Sequence, residues 1–161
     1  MATLKDLMVR VRASSTLPFV MPAVHIDGHV YYDGGLGQGA GIPLQLALDS
    51  GCSRIFAILT RPKGFRKPAP DIGRSARMIA NSYHKYPYVR EALLTRNERY
   101  NAELEKLEQL AAEGKAYIVY ADKMAVENNT TDIKKLRSSY FDGYNQAQKE
   151  FPRWLEWLGI E

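Results

Sequence analysis

Two apolar runs of strand length, Arg54-Ile-Phe-Ala-Ile-Leu-Thr60 and Ala116-Tyr-Ile-Val-Tyr-Ala121, constrain this chain more than any other feature. Neither alternates polar with apolar, so each reads as a strand covered on both faces. The segments around them have helical spacing. Leu4, Leu7, Met8 and Val11 lie on a helix over 4–13 that stops at Ser14-Ser15-Thr16-Leu17-Pro18. Pro43 opens a short helix, Leu44–Ser50, with Gly51 as its left-handed stop. Val89, Leu93, Tyr100, Leu104, Leu107 and Ala111 form one stripe that Gly114 ends. Thr131-Asp132 caps a last helix whose apolar face is Ile133, Leu136, Tyr140, Tyr144 and Ala147, and Pro152 separates it from Trp154-Leu-Glu-Trp157-Leu. Helices alternating with strands predict an α/β layered fold, its partly parallel sheet flanked by helices, with a helical C-terminal extension.

Composition removes several classes. A chain of 161 residues, 45% hydrophobic and with a net charge of +4, buries enough apolar surface to fold and is not a disordered chain. No run approaches the roughly 18 apolar residues that a membrane-spanning helix needs. The lone Cys52 excludes an internal disulfide framework and an all-cysteine zinc site, and between Gly51 and Ser53 it reads as a small buried hydrophobe in a reducing compartment. Charge is concentrated between residues 61 and 77, where Arg61, Lys63, Arg66, Lys67, Arg74 and Arg77 face only Asp71. That segment predicts a solvated loop suited to an anionic membrane surface. Phe65 is its one aromatic, which leaves no platform for stacking bases, so nucleic acid is not an expected partner.

Four patterns carry potential chemistry. The loop from Gly34 to Gly41 holds five glycines in eight residues, yet it lacks the third glycine of a dinucleotide fingerprint and the Gly-Lys-Ser/Thr of a P-loop. His25-x-Asp27-x-His29 resembles a metal triplet, but Asp27-Gly28 is the signal of a two-residue hairpin turn, and strand alternation does not survive such a turn. No metal and no other cofactor is therefore expected. Gly51-Cys-Ser53 and Gly73-Arg-Ser75 fall short of the Gly-x-Ser-x-Gly nucleophile elbow, so this chain offers no nucleophile. Asp33 remains, a carboxylate at the end of a strand and ahead of two glycines, where α/β folds place their sites.

Several strings, in order, resemble the bacterial branch of the patatin-like phospholipase family. Ala13-Ser14-Ser15-Thr16-Leu17-Pro18 is similar to its Ala-Ser-x-x-x-Pro element, and Tyr31-Tyr32-Asp33-Gly34-Gly35-Leu36 to its Asp-Gly-Gly/Ala motif. Ile42-Pro43-Leu44, Ile55-Phe-Ala-Ile-Leu-Thr-Arg-Pro62 with Gly64-Phe65-Arg66, Tyr100-Asn101 and Tyr140-Phe-Asp-Gly-Tyr144 continue the likeness. The resemblance implies a Ser–Asp dyad in which Asp33 is the catalytic base and Gly34 and Gly35 let the backbone turn behind it. It also implies lipid or acyl-ester substrates. The family's oxyanion loop and serine elbow lie upstream of every matching string, so the resemblance implies the C-terminal portion of a longer hydrolase.

On this reading residues 1–78 complete a patatin-like α/β domain and 79–161 form a helix–strand–helix extension. The chain alone is expected to hydrolyse nothing, to self-associate through an unpartnered sheet edge, and to be cytoplasmic with peripheral membrane contact. A non-catalytic α/β interaction domain is the alternative.

Overall fold

The computed structural model describes residues 3–69, 73–127 and 130–160, and leaves the side chain of Ser75 undescribed. The chain is mixed α/β, with one parallel strand pair and a helical C-terminal part. It divides into two compact units, Met1–Cys52 with Lys67–Leu107, and Ser53–Arg66 with Glu108–Glu161. Both units take residues from either side of position 78.

In the first unit α1 spans Leu4–Ser14, and Thr3 and Asp6 form a capping box at its start. A hairpin follows, β1 (Val24–Ile26) pairing antiparallel with β2 (His29–Tyr31). Asp27 and Gly28 have φ of 51° and 80°, as the two-residue turn requires. A single 3-10 turn, Gly34–Leu36, leads to α2 (Leu44–Asp49), and Gly51 ends that helix with φ of 82°. Cys52, read from sequence as buried, is exposed: it follows that left-handed stop on the surface.

Helix α3 (Arg74–Ser82) was not legible in the basic segment, and α4 (Pro87–Leu94) follows it. The long stripe through Val89 and Leu107 is two helices rather than one. It breaks at Thr95, whose hydroxyl donates to the Glu91 carbonyl at 2.9 Å, and resumes in α5 (Arg96–Ala112). The core of this unit gathers Val24, Ile42, Leu44, Tyr83, Tyr100, Leu104 and Leu107. The ring of Tyr83 meets Phe19 and Tyr32 edge to face, at 4.9 and 6.4 Å between centroids.

In the second unit β3 (Ile55–Leu59) pairs in parallel with β4 (Ala116–Tyr120), Ile55 opposite Ala116. β3 is not covered on both faces as its composition suggested: its residues are half-buried and Ile58 is exposed. The parallel pair is a sheet of two strands, too narrow to be enclosed. Helix α6 (Ile133–Leu158) starts at Asp132, whose side chain accepts from the N–H groups of Lys134 and Lys135. It runs through Pro152 instead of stopping there. Proline removes one main-chain bond at an exposed position, while Trp154 and Trp157 pack on Phe56 and hold the last turns. The expected inner face of α6 is also reversed, because Ile133, Leu136, Tyr140 and Tyr144 are exposed. No described helix is long and apolar enough to cross a membrane.

The basic segment is less free than a solvated loop. Asn101 exchanges two 2.9 Å hydrogen bonds with the Lys67 backbone, Asn97 donates to the Pro68 carbonyl, and Lys67 Nζ sits 3.9 Å over the Tyr100 ring. Arg66 pairs with Glu108, and Arg61 lies over Phe65. Arg74 and Arg77 belong to α3, and Asp71 lies outside the described residues.

Candidate functional site

Asp33 lies just past β2 and is tied down at both ends. Its backbone N–H donates to the Thr16 carbonyl at 3.0 Å, and its Oδ1 accepts from Gly35 N–H at 2.6 Å. The second bond caps the 3-10 turn and is charge-assisted. Thr16 is itself fully buried, with its hydroxyl donating to the Arg12 carbonyl at 2.7 Å. The strings Ala13–Pro18 and Tyr31–Leu36 therefore meet through one main-chain bond. Asp33 is half-buried and opens onto a cleft of about 680 Å³, walled in part by Ser14, Gly39, Ile42, Leu46 and Arg96.

The glycine loop is shaped by two arginines that sequence reasoning missed. Arg96 Nε donates to the Gly35 carbonyl at 3.1 Å. Arg99 uses all five of its N–H donors. They reach the carbonyls of Leu36, Gly37, Gln38 and Ala92 and the hydroxyl of Thr95. Four consecutive carbonyls, Gly35 to Gln38, are thus satisfied by one helix. A turn further along, buried Glu103 accepts from the N–H of Gln45 at 3.1 Å and from Lys106 at 3.3 Å. The first bond caps α2, where Pro43 has no side-chain donor or acceptor to offer. Arg96, Arg99 and Glu103 share one face of α5 with Tyr100 and Leu107. Charges interleaved with a buried apolar stripe were the available signal.

Glycine is required at loop position 39, where backbone is in the way, and at position 35 a side chain would have to displace the ends of two others. A Cβ on Gly35 would lie 2.8 Å from Asp33 Oδ1 and 2.9 Å from Arg96 Nη2, and one on Gly39 would lie 1.8 Å from the Ile42 carbonyl oxygen. At Gly34 it would meet nothing within 4 Å.

Other sequence candidates do not converge on the cleft. His25 and His29 are exposed and fall on opposite faces of the hairpin, since His25 opposes Val30 and His29 opposes Ile26. His84 Nδ1 is 2.9 Å from the Asn81 carbonyl. Among the described residues no group of three or more His, Cys, Asp or Glu is placed to hold a metal. Ser53 precedes β3 rather than following a strand, and position 75 lies inside α3.

No curated protein and no solved structure matches the chain. Residues 86–159 match a family model described as "Domain of unknown function (DUF6363)", a stretch that carries Arg96, Arg99 and Glu103 but not Asp33.

Proposed function

We propose that this chain is the aspartate-bearing part of a patatin-like acyl hydrolase, with Asp33 the general base of a Ser–Asp dyad whose serine lies outside these 161 residues. The observation that carries the reading is the way Asp33 is held. Oδ1 is engaged by Gly35 N–H at 2.6 Å, which reserves Oδ2 for a proton. The carboxylate borders a cleft and hangs from a backbone pinned to Thr16.

In the first step a serine hydroxyl adds to the ester carbonyl and gives its proton to Asp33. As the tetrahedral intermediate collapses, the C–O bond to the alcohol breaks and the alcohol takes that proton. Water then adds to the acyl-serine, again passing a proton to Asp33, which returns it to the serine as the acid leaves. Arg96, Arg99 and Gly35 position Asp33 throughout. The substrates are lipid acyl esters, and the setting is cytoplasmic with peripheral membrane contact.

The test joins this chain to its upstream coding sequence and assays short acyl esters. Hydrolysis that Asp33→Asn removes supports the reading. An upstream frame without a Gly-x-Ser-x-Gly, or hydrolysis unaffected by Asp33→Asn, overturns it. The second reading, a non-catalytic interaction domain, is favoured by α1, where Leu4, Leu7, Met8 and Val11 are all exposed.

A further inference from the structure

The outward face of α6 is an apolar feature that the site leaves unexplained. Among its 26 residues, those whose burial is described include none that is buried. At 100° per residue, Ile133, Tyr140, Tyr144, Phe151 and Leu158 fall on one line running about 37 Å along the helix. Ile133, Tyr140, Tyr144 and Phe151 are 65%, 66%, 50% and 52% exposed, and Phe141, beside the line, is 57% exposed. Tyr140 stacks against Tyr144 with 18° between ring planes, so the stripe is a formed surface.

The charge nearest the line is basic: Arg137, exposed, lies about 40° from it. Lys134 and Glu150 each fall about 100° away on opposite sides, but Lys134 is exposed whereas Glu150 is half-buried and accepts from Gln146 at 3.0 Å. Glu156 falls about 140° away and Asp142 about 180°.

We propose that α6 lies in the plane of an anionic lipid interface, with its tyrosines and phenylalanines at the headgroup boundary and Lys134 and Arg137 on lipid phosphates. Apolar and aromatic residues on one side, with bases (Lys134, Lys135, Arg137, Lys149 and Arg153) outnumbering the acids Asp142, Glu150 and Glu156 on the helix, are the composition of interfacial helices. A second copy of the chain fits less well. Packing two such stripes together would bury the hydroxyls of Tyr140 and Tyr144, whereas a headgroup boundary keeps them wet. The proposal is separate from the reading of Asp33 and uses none of the residues at the cleft.

The full chain is sedimented with vesicles of phosphatidylcholine alone and of phosphatidylcholine with phosphatidylglycerol in equal parts, and its mass is measured without lipid. Binding is expected to the acidic vesicles. The triple change Tyr140→Ser, Tyr144→Ser, Phe151→Ser is expected to weaken it at least about tenfold. Lys134→Gln with Arg137→Gln, which leaves the apolar stripe intact, should weaken it about fivefold per charge. Absence of binding to acidic vesicles overturns the proposal. So does binding that survives both sets of changes but is lost with Lys63→Gln and Arg74→Gln. A concentration-dependent dimer that the triple change dissociates, with vesicle binding unaltered, would assign the face to a second copy instead.

Discussion

The Thr16 carbonyl accepts the backbone N–H of Asp33 at 3.0 Å, and this one bond joins the end of α1 to the carboxylate at the cleft. The contact is between main-chain atoms, so side-chain changes at either residue leave it in place. Asp33→Asn consequently separates chemistry from architecture. On the dyad reading proposed above, in a chain joined to its upstream coding sequence, the asparagine keeps an oxygen for Gly35 N–H but accepts no proton. Ester hydrolysis should fall at least about a hundredfold, with the urea midpoint lowered only slightly as the turn's charge-assisted cap becomes a neutral one. His25, His29 and His84 changed to Gln should leave hydrolysis near its original rate.

The loop glycines should differ sharply. Gly34→Ala is expected to be nearly silent. Gly35→Ala places a methyl against the Asp33 carboxylate and Arg96, so it should cost about 1 kcal/mol and also move the base, lowering hydrolysis more than stability. Gly39→Ala collides with backbone and should cost about 2 kcal/mol or more. Urea unfolding of the three variants orders them.

Glu103 is a buried charge with a structural duty. Glu103→Ala leaves the Gln45 N–H and the start of a six-residue helix without their acceptor, at a cost of about 1–3 kcal/mol. Glu103→Gln keeps an acceptor oxygen and should recover much of that loss. Chemical denaturation of both variants provides the comparison.

Alkaline pH should reveal Tyr32. Burial first, and then its hydrogen bond with Tyr83, raises the phenol above its ordinary 10.0. The unfolded chain loses that proton first. The stabilisation is therefore complete below pH 10 and fades as pH rises toward the folded value. Tyr32→Phe should flatten the decline in urea midpoint above about pH 10. An identical slope in the variant would show that another group is responsible.

The sequence was most legible where local chemistry decides conformation. Asp27-Gly28, Pro43, Gly51 and Asp132 act through their own backbone or capping preferences, and each sits where those preferences place it. It was least legible where a distant partner decides. Nothing near Arg99 in sequence announces a glycine loop about sixty residues earlier, and Pro152 is tolerated because two tryptophans hold the helix beyond it. The outward stripe of α6 had the period of a buried face, and period alone does not say which side is covered. At the candidate site the sequence marked the carboxylate, its glycine and the helix stripe, and passed over the two arginines by which that helix holds them.

That helix grips its loop by carbonyl oxygens, which every amino acid possesses. Leu36 and Gln38 are thus anonymous to Arg99: exchanging either alters what the loop presents to its surroundings without loosening the clamp. Because Gln38 borders the cleft, a change there alters the cleft's lining while the carbonyl bond to Arg99 remains.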